Sequence, residues 1–295
     1  MMSADVPMTT GAARPGLRER LPEIPATVLL SMAWMGLMIL VALFAHWLKP
    51  YTITQMDLTA RLQPPALMSG TWAHPLGTDQ LGRDVLARLI VSIRVSLSLA
   101  VSATILGVLF GGIMGLLAAH FRGFVEQLVL ILIDVQAALP FIILALSALA
   151  FFGNSFLLLV FLLAFYGWER HARVVRGLAL AAYGQGYMRA VEQLGAGPGR
   201  LYLRHMVPNM GATLVVSATL AFPEVILAGA GLSFLGLGIQ PPDTDLGNMV
   251  GYGRTYLQQA PWVLLCPAAV IVLTTLAISM LGDWMRDQLD PGQRA

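Results

Sequence analysis

The stretch QLVLILIDVQAALPFIILALSALAFFGNSFLLLVFLLAFYGW, Gln127 to Trp168, carries one charged residue, Asp134, in 42 positions. A helix rises about 1.5 Å per residue and a bilayer core is about 30 Å thick, so one crossing takes about 20 apolar residues. The run is too long for one crossing, and Gly153-Asn154-Ser155 offers a turn in its middle. The reading is two helices, over 127–152 and 156–176, joined by that turn.

Outward from this run, other stretches repeat the pattern. Ala26–Leu48 and Val95–Phe121 contain no Asp, Glu, Lys or Arg. Segments 211–235, interrupted by Glu224, and 260–282 complete a set of six. Composition agrees: of 295 residues 57% are hydrophobic and 12% charged, against about 25% charged in soluble domains. Mean hydropathy is +0.73. Disordered chains, coiled coils and secreted disulfide scaffolds are excluded, and the single Cys266 supports neither a disulfide framework nor a cysteine metal site. The expected fold is an all-α polytopic membrane protein of six helices.

Basic residues orient it. With the N-terminus inside, twelve lie on the cytoplasmic side and six outside, and the outer turn at 153–155 has none. N-in and C-in follows. The first 25 residues mix acids and prolines, and the span behind them is longer than a signal-peptide core, so it is expected to stay as an anchor. The expected organisation is a cytoplasmic tail over 1–25, a first span over 26–48, an outer segment with an interfacial helix over 49–93, a membrane domain over 94–283 and a tail over 284–295.

Two connections exceed simple turns, which marks them as functional candidates. In the inner one, Tyr187 to Leu194 reads as a short helix with Val191 and Leu194 on one face, and Gly195 suits a C-cap or sharp bend. A second amphipathic stretch follows, with Leu201 and Met206 apolar and Arg200, Arg204 and His205 polar; Pro208 opens the next span. Two readings stand: a helical hairpin resting on the membrane, or a docking element shaped to enter a partner's groove. In the outer one, Thr78 or Asp79 is expected to cap a helix from about Gln80, with Leu81, Val85, Leu86, Leu89 and Ile93 as its apolar stripe. Gly77-x4-Gly82-Arg83-Asp84 is no P-loop: it lacks the Lys, the Ser/Thr and the preceding strand.

Charges inside spans are costly and mark candidate paths. Asp134 and Glu224 are the two candidates, for a substrate path or proton relay; for Asp134 the alternative is a place near the inner interface, within reach of arginine. Arg170, Arg173 and Arg176 recur every third residue and read either as snorkelling side chains or as contacts to a partner. His205 and Ser233 fall at opposite ends of one span, so they form no hydrolytic dyad. No catalytic or metal-ligating set is found, and His46, His74, His120, His171 and His205 are scattered.

The inner loop resembles the EAA loop of ABC importer permeases, in which an acid–Ala–Ala triplet precedes a Gly and a Pro follows. Here the triplet is Arg189-Ala190-Val191, and Pro208 lies 13 residues after Gly195. Arg189 replaces the acid and Val191 the second Ala. Three further segments resemble the dipeptide/oligopeptide branch, C-subunit type: His74-Pro75-Leu76-Gly77-Thr78-Asp79-Gln80-Leu81-Gly82-Arg83-Asp84, then Gly231-Leu232-Ser233-Phe234-Leu235-Gly236-Leu237-Gly238 before Pro241-Pro242, and Leu281 to Pro291. That branch often has an acid where this chain has Gly229.

The resemblance implies a type I importer membrane domain that pairs with a second, related permease. It implies one or two partner ATPases docked on 187–208, and a periplasmic binding protein that delivers di- or oligopeptides; nickel, glutathione or another small solute is the alternative. Arg189, Ala190, Val191, Glu192, Leu194, Gly195 and Ala196 would couple to the ATPase, framed by His205 and Pro208. ATP and Mg²⁺ would sit on the partners, leaving this chain without cofactor or enzymatic activity, in the inner membrane, with lipid but no nucleic acid as a further partner. A proton-coupled transporter using Asp134 and Glu224 is the runner-up.

Overall fold

The computed structural model describes residues 24–184, 188, 191 and 193–289. Among these the regular structure is helical, with one isolated antiparallel bridge between Thr78 and Asp84. In chain order the helices are α1 (Ala26–Leu48), α2 (Val85–His120), α3 (Phe124–Ala138), α4 (Phe141–Phe152), α5 (Phe156–Gly184), α6 (Val207–Phe234), α7 (Leu246–Gly253) and α8 (Trp262–Leu289).

The run that opened the sequence folds differently from expectation in one place. The turn at Gly153 is present, with Gly153 at φ +76° ending α4 and α5 starting at Phe156. The segment before it, expected as one helix, is two, α3 and α4, bent by 91°. The break falls at Leu139-Pro140, and both residues have extended backbone. Proline carries no N–H for a helical bond and restricts the residue before it to extended conformations, so the helix stops at Ala138 and restarts behind the ring. Among the described residues four helices are long and apolar enough to cross a membrane, five if the bent pair is one span. α5, which answers to the expected span over 156–176, is 29 residues long but is not among these, because its second half carries Glu169, Arg170, Arg173 and Arg176.

The outer expectation is also corrected. No helix begins near Gln80. Instead α2 begins at Val85, capped by Asp84, whose carboxylate accepts from Ala87 N–H at 2.7 Å. It then runs unbroken to His120, so the interfacial helix and the second span are one 36-residue helix.

The centre of the bundle is the α2–α5 pair. Gly107, Gly111 and Gly115 repeat every four residues along α2 and let the α5 backbone approach; a Cβ on Gly111 would stand 2.3 Å from the Trp168 carbonyl. Small residues at this spacing are how membrane helices come close without a hydrophobic driving force. Leu99, Leu163, Val225, Leu232, Val263 and Ile271 fill the core around them, on α2, α5, α6 and α8. α1 is peripheral: Val28, Ser31, Met38 and Ala45 are buried, and Trp34 Nε1 donates to Thr274 Oγ1 on α8 at 3.2 Å. Its other faces display Leu30, Leu43 and Trp47, as a lipid-facing helix does.

Candidate functional site

The inner end is built from the loop upward. Met188 is fully buried and joins Val175, Ala179, Leu201, Met206 and Met210 in one apolar cluster, with half-buried Val191 packed against it. Gly195, at φ +84°, makes the expected bend, closed by Ala196 N–H donating to the Val191 carbonyl at 3.3 Å. A left-handed residue closed by such a bond is how glycine ends a helix. Leu194 corrects the sequence reading, which put it on one face with Val191: it projects outward, 88% exposed, at the tip of the bend. The second stretch is a π-helical turn, Leu201–Met206, that feeds directly into α6. Leu201 and Met206 point in as expected, while Arg200 and Arg204 point out and His205 is half-buried. Arg204, His205, Pro208 and Asn209 line an open hollow of about 570 Å³. Of the expected coupling residues, Arg189, Ala190 and Glu192 lie outside the described residues, as do most of the 1–25 tail and residues 290–295.

Sequence reasoning missed what ties this end together. Tyr202 Oη lies 2.5 Å from Tyr183 Oη and 2.7 Å from His120 Nδ1. That chain joins the ends of α5 and α2 to the π turn. No periodic signal links three residues so far apart in sequence.

At membrane depth the arginine stripe is paired. Arg170 meets Glu224 of α6 at 2.8 Å and Arg173 meets Asp134 of α3 at 3.3 Å. Arg176 Nε donates to Glu126 at the head of α3 at 3.0 Å. The snorkelling reading gives way to three ion pairs on neighbouring helices. Asp134 itself is 74% exposed on the surface of this subunit. α6 continues through Pro223 without a break. Glu169 was not singled out by the sequence; its Oε2 is shielded and makes no hydrogen bond.

The outer end is a wired polar network. The buried Asp79 carboxylate accepts from Leu81 N–H at 2.8 Å, Arg83 N–H at 3.0 Å, Arg83 Nε at 2.7 Å and Arg88 Nη1 at 2.5 Å. Arg88 Nη2 reaches Thr244 Oγ1 at 3.3 Å, which also lies 3.0 Å from Ser92 Oγ. Trp262 Nε1 donates to the Thr78 carbonyl at 3.2 Å. Asp245 caps α7 by accepting from Asn248 N–H at 2.7 Å, and Ser233 Oγ donates to its other oxygen at 2.5 Å. Burial pushes the Asp245 carboxyl above the usual carboxylate range, against those hydrogen bonds. The segment that superficially matched a P-loop is therefore a turn packed on α2, not a phosphate cradle. Ser233 and His205 flank α6 at opposite ends, about 40 Å apart by helix rise. Among the described residues no three His, Cys, Asp or Glu side chains converge to hold a metal.

Comparison with known proteins places this architecture. Residues 107–295 match the family described as binding-protein-dependent transport system inner membrane component, and residues 27–65 match the N-terminal TM domain of oligopeptide transport permease C. The chain is 37% identical over 262 residues to the di/tripeptide transport system permease protein DppC of Pseudomonas aeruginosa, covering 88% of this chain and 86% of that one. It is 35% identical to the oligopeptide transport system permease protein OppC of Mycobacterium tuberculosis, covering 84% of each. It is 34% identical to the glutathione transport system permease protein GsiD of Pectobacterium atrosepticum, covering 86% of this chain and 83% of that one. A chain of the inward-facing MetNI methionine ABC transporter shares the fold, with a TM-score of 0.57 at 20% identity, covering 68% of this chain and 96% of that one. With the helix order and these matches together, the chain belongs to the family of binding-protein-dependent transport system inner membrane components.

Proposed function

We propose that this chain is the permease subunit of an ATP-driven importer of di- or oligopeptides, forming half of the translocation pore with a second, related permease. The observation that carries the reading is the inner tip. Leu194 stands exposed at a glycine bend, while the residues behind it are locked into the cluster that starts α6. A partner ATPase gripping that tip would move α6 as a rigid body, which is the requirement for alternating access. ATP and Mg²⁺ belong to the partner in this reading, and this chain has no catalytic role. Glu224 faces the pathway; Asp134 frames its inner end.

Relatives named for peptides support the cargo, and the relative named for glutathione favours a second reading, a γ-linked tripeptide. Uptake of a dipeptide against glutathione in proteoliposomes separates the two. The proton-coupled alternative loses support because Asp134 and Glu224 are both engaged by arginines; transport that collapses on ATP depletion but survives an uncoupler removes it.

The test of the coupling reading is Gly195→Trp. Nothing lies within 4 Å of a Cβ at this position, and the backbone is left-handed, so attaching a side chain costs about 1 kcal/mol of backbone strain. The variant should insert normally and lose uptake. Persistent uptake would sink the docking reading.

A further inference from the structure

We propose that the cavity bounded by Glu169, Arg170 and Glu224 receives the amino-terminal ammonium of a short peptide in transit, with Glu169 as the carboxylate that reads it. The inference rests on the import reading above and names the group of the cargo that the path recognises.

Three independent observations converge on this face. The first is depth. Glu169 lies 13 residues into α5 and Glu224 lies 10 residues before the end of α6, about 20 Å and 15 Å along the helices. Arg170 and Glu224 nevertheless keep about half of their side chains exposed, 48% and 45%. Charged groups at that depth do not face lipid; they face water or protein.

The second is the broken helix. Irregular backbone at membrane depth is tolerated where it lines a cavity or is buried in protein. The Leu139-Pro140 break does so: Pro140, Phe141, Tyr166, Leu227 and Gly231 line a groove of about 590 Å³. That volume lies within the range of small-ligand sites. Tyr166 also lines the smaller cavity that holds Glu169, Arg170 and Glu224, so groove and charges share a wall. The Phe141 and Tyr166 rings, with centroids 4.5 Å apart, give that wall an aromatic surface.

The third is charge. The arginines of α5 are each taken by an acid from another helix, Glu224, Asp134 and Glu126. Among the described residues Glu169 has no ion pair, and its shielded Oε2 has no donor. Arg173 also acts on Glu169, so three carboxylates, Glu169, Glu224 and Asp134, stand against the two guanidinium groups of Arg170 and Arg173 and leave a single negative charge. One monovalent cation with N–H donors completes it, and an ammonium beside aromatic faces gains further attraction. A hard divalent ion would need several more oxygen ligands and would face Arg170.

The test uses the assembled transporter in nanodiscs and saturation-transfer NMR, with millimolar Ala-Phe and Nα-acetyl-Ala-Phe as probes. Wild type should transfer to Ala-Phe and weakly to the acetylated peptide. Glu169→Gln should cut transfer to Ala-Phe roughly tenfold, the worth of one charge-assisted hydrogen bond, and leave the acetylated peptide unchanged. Glu169→Asp should keep the preference. Equal losses for both peptides, or none for either, overturn the proposal while leaving peptide import intact. A Glu169→Gln chain that no longer assembles with the second permease also overturns it, by assigning the carboxylate to the subunit interface. Wild type that takes neither peptide yet imports another solute overturns the import reading and this proposal together.

Discussion

The two ends of the molecule are held by different forces. The outer end is wired: Asp79 gathers four donors, Arg88 bridges to Thr244, and Asp245 is bound between Ser233 and Asn248. The inner end is packed: Met188, Met206 and Met210 meet small α5 residues, Ala179 and Ala182, beneath one tyrosine–histidine chain. Directional bonds hold one geometry and lose most of their value if it shifts. Methionine contacts are non-directional and adapt. In the import reading proposed above, a fixed outer face for delivery and an inner end that transmits movement call for this division.

The comparison breaks first at Asp79. Asp79→Ala leaves Arg88 buried without its partner, and the cost should be about 3–5 kcal/mol, read as a large fall in the melting temperature of the purified complex. Arg88→Met should cost less, because Asp79 keeps Arg83 and two backbone donors. If the two variants melt alike, the outer end is not organised around Asp79. At the inner end, Tyr202→Phe removes the link to Tyr183 and His120 and should cost about 1 kcal/mol. A loss as large as that of Asp79→Ala would show that the inner end is also held by directional bonds.

The smallest effect sharpens the electrostatics of the outer end. Asp245 has a folded-state pKa above its unfolded value. The folded chain therefore binds more protons there, so this stabilising contribution is complete below the ordinary carboxylate range and declines as pH rises through the folded value. Asp245→Asn keeps an acceptor for Asn248 N–H and should lie within about 1 kcal/mol of wild type at neutral pH. Melting curves measured from pH 4 upward should lose that downward slope in the variant; an unchanged slope places its origin elsewhere.

The membrane class, the turn at Gly153, the bend at Gly195 and the inward face of Leu201 and Met206 were legible in the chain, because apolar length, positive-φ glycine and helical spacing are local properties. The family was legible in four motifs. The cap at Asp84 was misplaced onto Thr78 or Asp79 because several residues there qualify as caps, and Asp79 is claimed by Arg83 and Arg88. The break at Pro140 was hidden by the uniform apolarity of its surroundings. Leu194 was placed on one face with Val191 by its spacing, but it stands at the tip of the bend, clear of the cluster against which Val191 packs.

What the sequence determined by itself was therefore where the chain meets lipid and where it must turn, since the free energy of burying an apolar side chain or of a left-handed residue depends on few neighbours. The tertiary structure alone decided which charge answers which. Arg170 meets Glu224, Arg173 meets Asp134, and Glu169 is left over because α3, α5 and α6 bring those groups to one depth. Coulomb attraction acts through distance in space, and residues far apart along the chain acquire that distance only when the helices pack.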